Sequence, residues 1–420
     1  MAARLHRGGT LEMNAREIKL VRKAKQFRAG ANDELIRSQI KQAELYGELD
    51  YTANPRADIH LDSTRLGLHA DRVRRWRAGE LVAPITIDMA LTQRCSYACT
   101  FCYAGLQQNP QAPVSWAVYE TFLEDCAEIG VQGISLVSDG ESTENPALTR
   151  FIVKATDLGI ACALGTNGLK LTDFETIVPR LTYLRFNFNA ADPRRYAQIM
   201  GTSVRSYNRV TENIYDCVQV KRATGSRCML GLQQVLLPEY ADEVLPLAKL
   251  GRQLGVDYLL IKHCSDDEDG RLGVDYGWYK TETAQALFRA AEAYSRHGYS
   301  VQAKWSKFKT GRDRTYSKCF GPPLLLQISG SGIVAPCGSF FNDRYKKFHI
   351  GDLKTTRFKE IWQGEAYRRV MSHLASDRFD PRKECATLCL QDKVNEALFD
   401  WVEKGETIPA ATPGADPAFI

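Results

Sequence analysis

The chain has 420 residues, with 55 Lys and Arg against 50 Asp and Glu, so its net charge is only +5 and charge alone does not mark it as a polyanion binder. With 44% hydrophobic and 25% charged residues it has the composition of an ordinary folded protein, which excludes collagen-like, low-complexity and disordered classes. No apolar stretch of about 18 residues is present, and Met1 to Thr10 carries Arg4, His6 and Arg7 without the core of a secretion signal, so the expectation is a cytoplasmic protein with no membrane partner. Thiols stay reduced there, so the 12 cysteines point first to metal sites and only then to disulfides.

Residues 1–82 are charge-rich, and Leu35, Ile36, Ile40 and Leu45 recur at roughly helical spacing, which predicts a helical N-terminal extension. The basic segment Lys19 to Arg28 reads as a solvated helix face rather than a nucleic-acid arm. From Ala83 short apolar runs alternate with amphipathic stretches, the pattern of βα units and a parallel sheet or barrel. The runs are Ile85 to Leu91, Gly133 to Asp139, Ala161 to Asn167, Tyr183 to Asn189, Met229 to Leu237 and Tyr258 to His263. Helical patterns cover Ser115 to Ile129, Asn145 to Leu158, Val204 to Ala223, Tyr240 to Leu254 and Glu282 to Arg296. Beyond residue 305 come Gly- and Pro-containing turns and clustered cysteines, and residues 401–420, with Pro409, Pro413 and Pro417, read as a tail.

After the first strand stands Cys95-Ser-Tyr-Ala-Cys99-Thr-Phe-Cys102, three cysteines on one loop. Three close thiolates can hold three irons of a cubane and leave the fourth open, whereas structural zinc asks for four ligands. This spacing, with Phe101 before the third cysteine, resembles the radical S-adenosylmethionine (radical SAM) superfamily. The resemblance implies a partial (β/α)6 barrel over residues 83–305, an S-adenosylmethionine cofactor, and a flavodoxin or ferredoxin as electron donor. It also implies that Asp139, Gly140 and Glu141 bind the cofactor where the family usually carries Gly-Gly-Glu. By the same analogy Thr166, Asn167, Asn187, Asn189, Gln233 and Gln234, at the ends of later strands, face the cofactor; their alternative role is strand-end capping.

Four further cysteines follow the barrel: Cys319, Cys337, Cys385 and Cys389. The first two flank Leu324 to Pro336, a hairpin pattern with Gly330 and Gly332 at its turn. Four thiolates would fully ligate one cubane, with a structural zinc on the same four cysteines as the alternative. This half, 306–400, resembles the SPASM and twitch auxiliary-cluster domains of the same superfamily, including Gly351-Asp352 and Phe358 to Trp362. A full SPASM domain has seven or eight cysteines, so the four here imply one auxiliary [4Fe-4S] cluster besides the first.

Of the remaining cysteines, Cys126, Cys162, Cys217 and Cys228 read as core residues. Cys264 ends the sixth strand after Lys262 and His263, on the side where the resemblance places the cofactor. A radical SAM carbohydrate epimerase would use Cys264 to return a hydrogen atom to a sugar carbon. Leu68 to Trp76 and the Phe419-Ile420 end resemble avilamycin-type epimerases of antibiotic biosynthesis. A radical SAM dehydrogenase would instead pass a proton to Lys262 or His263 and an electron to the auxiliary cluster, and peptide maturation is the third alternative. Two cubanes predict about eight irons per chain, and replacing Cys95, Cys99 and Cys102 together by Ala should leave about half in an iron assay; zinc at the second set would overturn the two-cluster expectation.

Overall fold

The structure is a computed structural model that describes residues 30–53, 64–106, 109, 113–267, 269–311, 313–385, 389–408, 410 and 416–420. The basic segment Lys19 to Arg28 lies outside the described residues. Among them no helix is long and apolar enough to cross a membrane.

All six expected strands form: β1 (Thr86–Met89), β2 (Gly133–Leu136), β3 (Ala161–Thr166), β4 (Leu181–Asn187), β5 (Met229–Leu236) and β6 (Tyr258–His263). Each pairs in parallel with the next, and β7 (Ser300–Ala303), which the alternation did not reveal, adds to β6. β1 and β2 are buried along their whole length, so their sequences are apolar runs rather than alternations. Helices Trp116–Ile129, Leu148–Asp157, Val204–Thr224, Val244–Leu254 and Glu282–Glu292 cover the outer face. Left-handed glycines, Gly130, Gly225 and Gly255, stop three of them.

The sheet does not stop where the chain's texture changes. β8 (Leu325–Ile328) pairs in parallel with β1, and β9 (Ile333–Ala335) and β10 (Gly351–Asp352) follow antiparallel, giving one open sheet ordered β10-β9-β8-β1-β2-β3-β4-β5-β6-β7. The cysteine-flanked hairpin is therefore hydrogen-bonded to the strand that launches the first cysteine loop. At the other end, helix Asp33–Leu45 is capped by the Asn32 side chain on the Leu35 amide and tied to the outer helices through Arg37 to Thr283 Oγ1 at 2.8 Å and Trp278 Nε1 to Asp33 Oδ1 at 3.1 Å.

The expected tail is corrected by the packing of residues 416–420. Ala418, Phe419 and Ile420 are buried, Thr86 Oγ1 donates to the Ala418 carbonyl at 2.8 Å, and Arg65 donates to the Phe419 carbonyl at 3.0 Å. A Cβ at Gly133 would stand 2.3 Å from the Ala418 carbonyl oxygen, so the strand gives up a side chain to admit the segment. The apolar Ala-Phe-Ile triplet packs beneath the barrel. Phe419 meets Tyr183 edge-on at a centroid distance of 5.3 Å. Phe419→Ala should lower stability by about 3 kcal/mol in anaerobic denaturant unfolding.

Candidate active site

The first cysteine loop is held at its root by backbone contact. A Cβ at Gly140 would lie 2.0 Å from the Thr92 carbonyl oxygen, and one at Gly330 would lie 2.3 Å from the Thr92 carbonyl carbon, so two glycines clasp the chain three residues before Cys95. Gly140 also has φ +133°, a conformation open to glycine alone at low cost. Asp139 spans the clasp: it accepts from Gln93 Nε2 at 2.8 Å, Ser329 Oγ at 2.6 Å and the Gly330 amide at 2.8 Å. Asp139 thus braces the cysteine loop against the second-half hairpin, and it also lines the cavity described below. Farther along, Gly201 lets the Ala98 carbonyl approach, and the Thr100 amide donates to the Ile199 carbonyl at 2.9 Å.

Glu141, Thr166 and Asn167 form one buried group. Glu141 Oε1 accepts from Thr143 Oγ1 at 2.9 Å and Thr166 Oγ1 at 2.7 Å, and Oε2 accepts from the Asn167 amide at 2.6 Å. With the Thr143 amide also on Oε1, the acceptor position left to a ligand is on Oε2. The Asn167 side-chain amide reaches 3.8 Å from Cys95 Sγ, which ties this group to the loop. Gln233 Nε2 donates to Asn187 Oδ1 at 2.7 Å, and both line the cavity described below. Asn189 and Gln234 are corrected. Asn189 exchanges both its amide bonds with the Val235 backbone, past the end of β4, and Gln234, which alternates with Gln233 onto the other face of β5, donates to the Asn189 carbonyl.

At the end of β6 alternation separates Lys262 from His263, and the loop that follows places Cys264. Lys262 points inward, and burial, with Arg185 and Lys307 next, lowers its pKa to about 7. The His263 ring packs against Tyr276, Tyr279 and Phe308, with Nδ1 2.8 Å from the Cys264 carbonyl, and burial lowers its pKa to about 4. Cys264 is fully buried behind the first cysteine loop, its sulfur 3.8 Å from the Phe101 carbonyl and 3.5 Å from that of Ser265. Lys262 and Ser265 line the cavity described below and Cys264 and His263 do not, so their expected placement at its wall is corrected; His263 borders the space beneath it.

Cys319, Cys337, Cys385 and Cys389 meet at the far side of a cavity of about 260 Å³ whose near side is Cys102, Gly140 and Glu141. Lys262 and Arg185 are in its wall. Strand spacing alone did not signal Arg185, because its long polar side chain in mid-strand looks like an outward residue. Asn395 orders the second set: its Oδ1 accepts from the Phe320 and Gly321 amides at 2.8 and 2.7 Å, which turns Nδ2 toward Cys389 Sγ at 3.9 Å.

Residues 89–236 match the Radical SAM superfamily, and residues 319–390 match SPASM, an iron–sulfur cluster-binding domain. The chain is similar to an AdoMet-dependent heme synthase of Oleidesulfovibrio alaskensis, 22% identical over 338 residues that cover 72% of this chain and 81% of that protein. It is 23% identical over 207 residues to the dTDP-4-amino-4,6-dideoxy-D-glucose ammonia-lyase of Streptomyces venezuelae, a match that spans 46% of this chain and 42% of that enzyme. The fold is similar to that of Streptococcus suis SuiB bound to S-adenosylmethionine, with TM-score 0.55 and 14% identity across 97% of this chain and 93% of that one.

The cofactors are S-adenosylmethionine and two iron–sulfur clusters, and the donor sets fit them. Burial, then the neighbouring Cys102 and Cys95, pushes the Cys99 thiol well up, and burial, then Cys337 and Cys319, does the same to Cys385. Bound iron would relieve such crowding of buried sulfurs. Cys95, Cys99 and Cys102 would hold the first cluster, and the other four cysteines the second. Asn395→Asp keeps the acceptor on Phe320 and Gly321 but turns an oxygen toward Cys389. The midpoint potential of the second cluster should fall by ~20–60 mV in an EPR-monitored titration, the one-electron equivalent of a ~0.5–1.5 kcal/mol hydrogen bond.

Proposed function

We propose that this chain, a radical SAM enzyme with a C-terminal SPASM domain, dehydrogenates a hydroxyl- or amino-bearing carbon of a small molecule. The observation that carries this reading is the cavity of about 260 Å³ bounded by both cysteine sets, with the Lys262 amine in its wall. When bound, S-adenosylmethionine and the first cluster supply removal of one hydrogen atom from carbon, and the second cluster supplies a place for one electron. The residues do the rest. Glu141 Oε2 offers an acceptor to the cofactor's ammonium group. Asn187 and Gln233, bonded to each other, present amide groups at the chamber wall. Lys262, which burial holds largely neutral above pH 7, takes the hydroxyl or amine proton from the carbon-centred radical. The substrate thereby loses one hydrogen atom, one proton and one electron, and the product is a ketone or imine.

Epimerisation, the other candidate, needs a hydrogen-atom donor facing the substrate. Cys264 does not line the chamber, and this favours oxidation over epimerisation. A sugar-containing substrate is supported by the similarity to an enzyme named for a dTDP-linked amino sugar. A flavodoxin or ferredoxin would reduce the first cluster, in keeping with a cytoplasmic home for so many thiols.

Turnover of a panel of sugars and sugar nucleotides under anaerobic reduction in deuterium oxide tests the reading. The product should be two mass units lighter than its substrate. A product of inverted configuration and one unit heavier would replace dehydrogenation by epimerisation. Because Lys262 must be neutral to accept the proton, product formation should be full at alkaline pH and fall as pH drops through about 7. Lys262→Met should cut product formation by ~10²–10⁴ while substrate-dependent 5′-deoxyadenosine persists.

A further inference from the structure

Beneath the reaction chamber lies a second cavity of about 510 Å³ inside the barrel, floored by Phe419 and Ile420. The two cavities share Val137, Arg185, Gln233, Lys262 and Ser265 as their partition. Strand register sets the depths. Arg185 is level with Gly231 and Lys262 with Val235, so Arg185 springs from a level four residues nearer the barrel floor. Gly165 makes room for Val137 in the partition, since an added Cβ there would stand 2.3 Å from Val137 Cγ1.

The acids of this lower cavity are already engaged. Asp392 accepts from Tyr316 at 2.9 Å, Glu396 is paired with Lys393 and accepts from Thr315, and Asp88 accepts from Ser135. Arg185 is different. Its Nε is buried with no hydrogen-bond partner, and the contact of its guanidinium is the Tyr183 ring, 5.4 Å away. The groups around it on every neighbouring strand are Asp88 on β1, Tyr183 on β4, Gln233 on β5, and Tyr258 and Lys262 on β6. None of them hydrogen-bonds it among the described residues. Half-buried at the cavity wall and attracted to Asp88 without a hydrogen bond to it, the guanidinium presents a fork of donors on which an anion can seat.

We infer that the lower cavity is a subsite for an anionic group of the substrate, a phosphate or a carboxylate, with Arg185 as its anchor. The inference rests on the reading of the chamber above as the reaction site. An anion held by Arg185 ties down the end of the substrate that does not react, so that the carbon to be oxidised stands beside Lys262. Binding energy from a remote group then becomes orientation at the reacting centre. The enzyme would accordingly reject neutral sugars and take phosphorylated or carboxylate-bearing ones.

Calorimetric titration of the cluster-loaded protein, saturated with S-adenosylmethionine, with inorganic phosphate, pyrophosphate and succinate measures this without turnover. One saturable site per chain for at least one probe is expected, weakening as KCl is raised. Arg185→Gln should weaken it at least tenfold, and Arg185→Lys should restore part of the loss, which a merely structural role would not do. Iron content equal to wild type establishes that each variant is folded. Equal affinity in wild type and Arg185→Gln, or no saturable binding of any probe, overturns the subsite. The readout is independent of product mass, so failure here leaves the dehydrogenation test standing, and failure there leaves this one standing.

Discussion

Two glycines on opposite sides of one peptide carry the architecture of this site. Gly140, at the end of β2, and Gly330, in the β8–β9 turn, each touch Thr92 at distances no side chain permits, and the Asp139 carboxylate closes the clasp by bonding Gln93, Ser329 and Gly330. The clasp sets where the first cysteine loop leaves the sheet. It also joins that loop to the hairpin that ends at Cys337. Because β8 is itself hydrogen-bonded to β1, the two cysteine sets belong to one continuous sheet rather than to two bodies joined by a linker. Backbone packing thus fixes the separation between the two cysteine sets.

Burial then does the chemical tuning. A parallel barrel packs its inner strands in low dielectric, where charged forms are disfavoured for acids and bases alike. The same cause raises the Asp88 pKa to about 7 and lowers that of Lys262 to about 7, with Arg185 pulling both downward. One guanidinium thus enlarges the neutral fraction of the lysine and the ionised fraction of the aspartate. Such groups persist in a core because the cavity they line needs them. Elsewhere in the interior, polar side chains such as Asn189 and Asn213 have their amides bonded to backbone carbonyls.

The likeness of residues 89–236 and 319–390 to known families fits this division of labour. The matched segments hold the cysteines, Asp139 to Glu141 and the strand ends through β5. Lys262 and residues 416–420 lie outside them, and so do β6 and β7. Arg185, Asn187 and Gln233 lie within the matched segments, and similarity at 22% identity leaves the reaction open.

Much of this was legible in the sequence. Apolar runs marked six strands because strands buried on both faces cannot alternate, and cysteine spacing marked the metal-binding loops because thiolates must converge locally. Glycine at 140 and 330 likewise follows from close backbone approach. What spacing could not decide was direction. Gln233 and Gln234, or Lys262 and His263, are neighbours in sequence and opposites in space, because successive residues of a strand face opposite sides. Cys264, just past the strand, was misplaced for a related reason: the loop carries its sulfur behind Phe101 rather than into the chamber. The tail at 416–420 and the pairing of β8 with β1 were invisible because both are contacts between segments more than two hundred residues apart. Local composition determines which elements form; only the folded chain decides which of their faces meet.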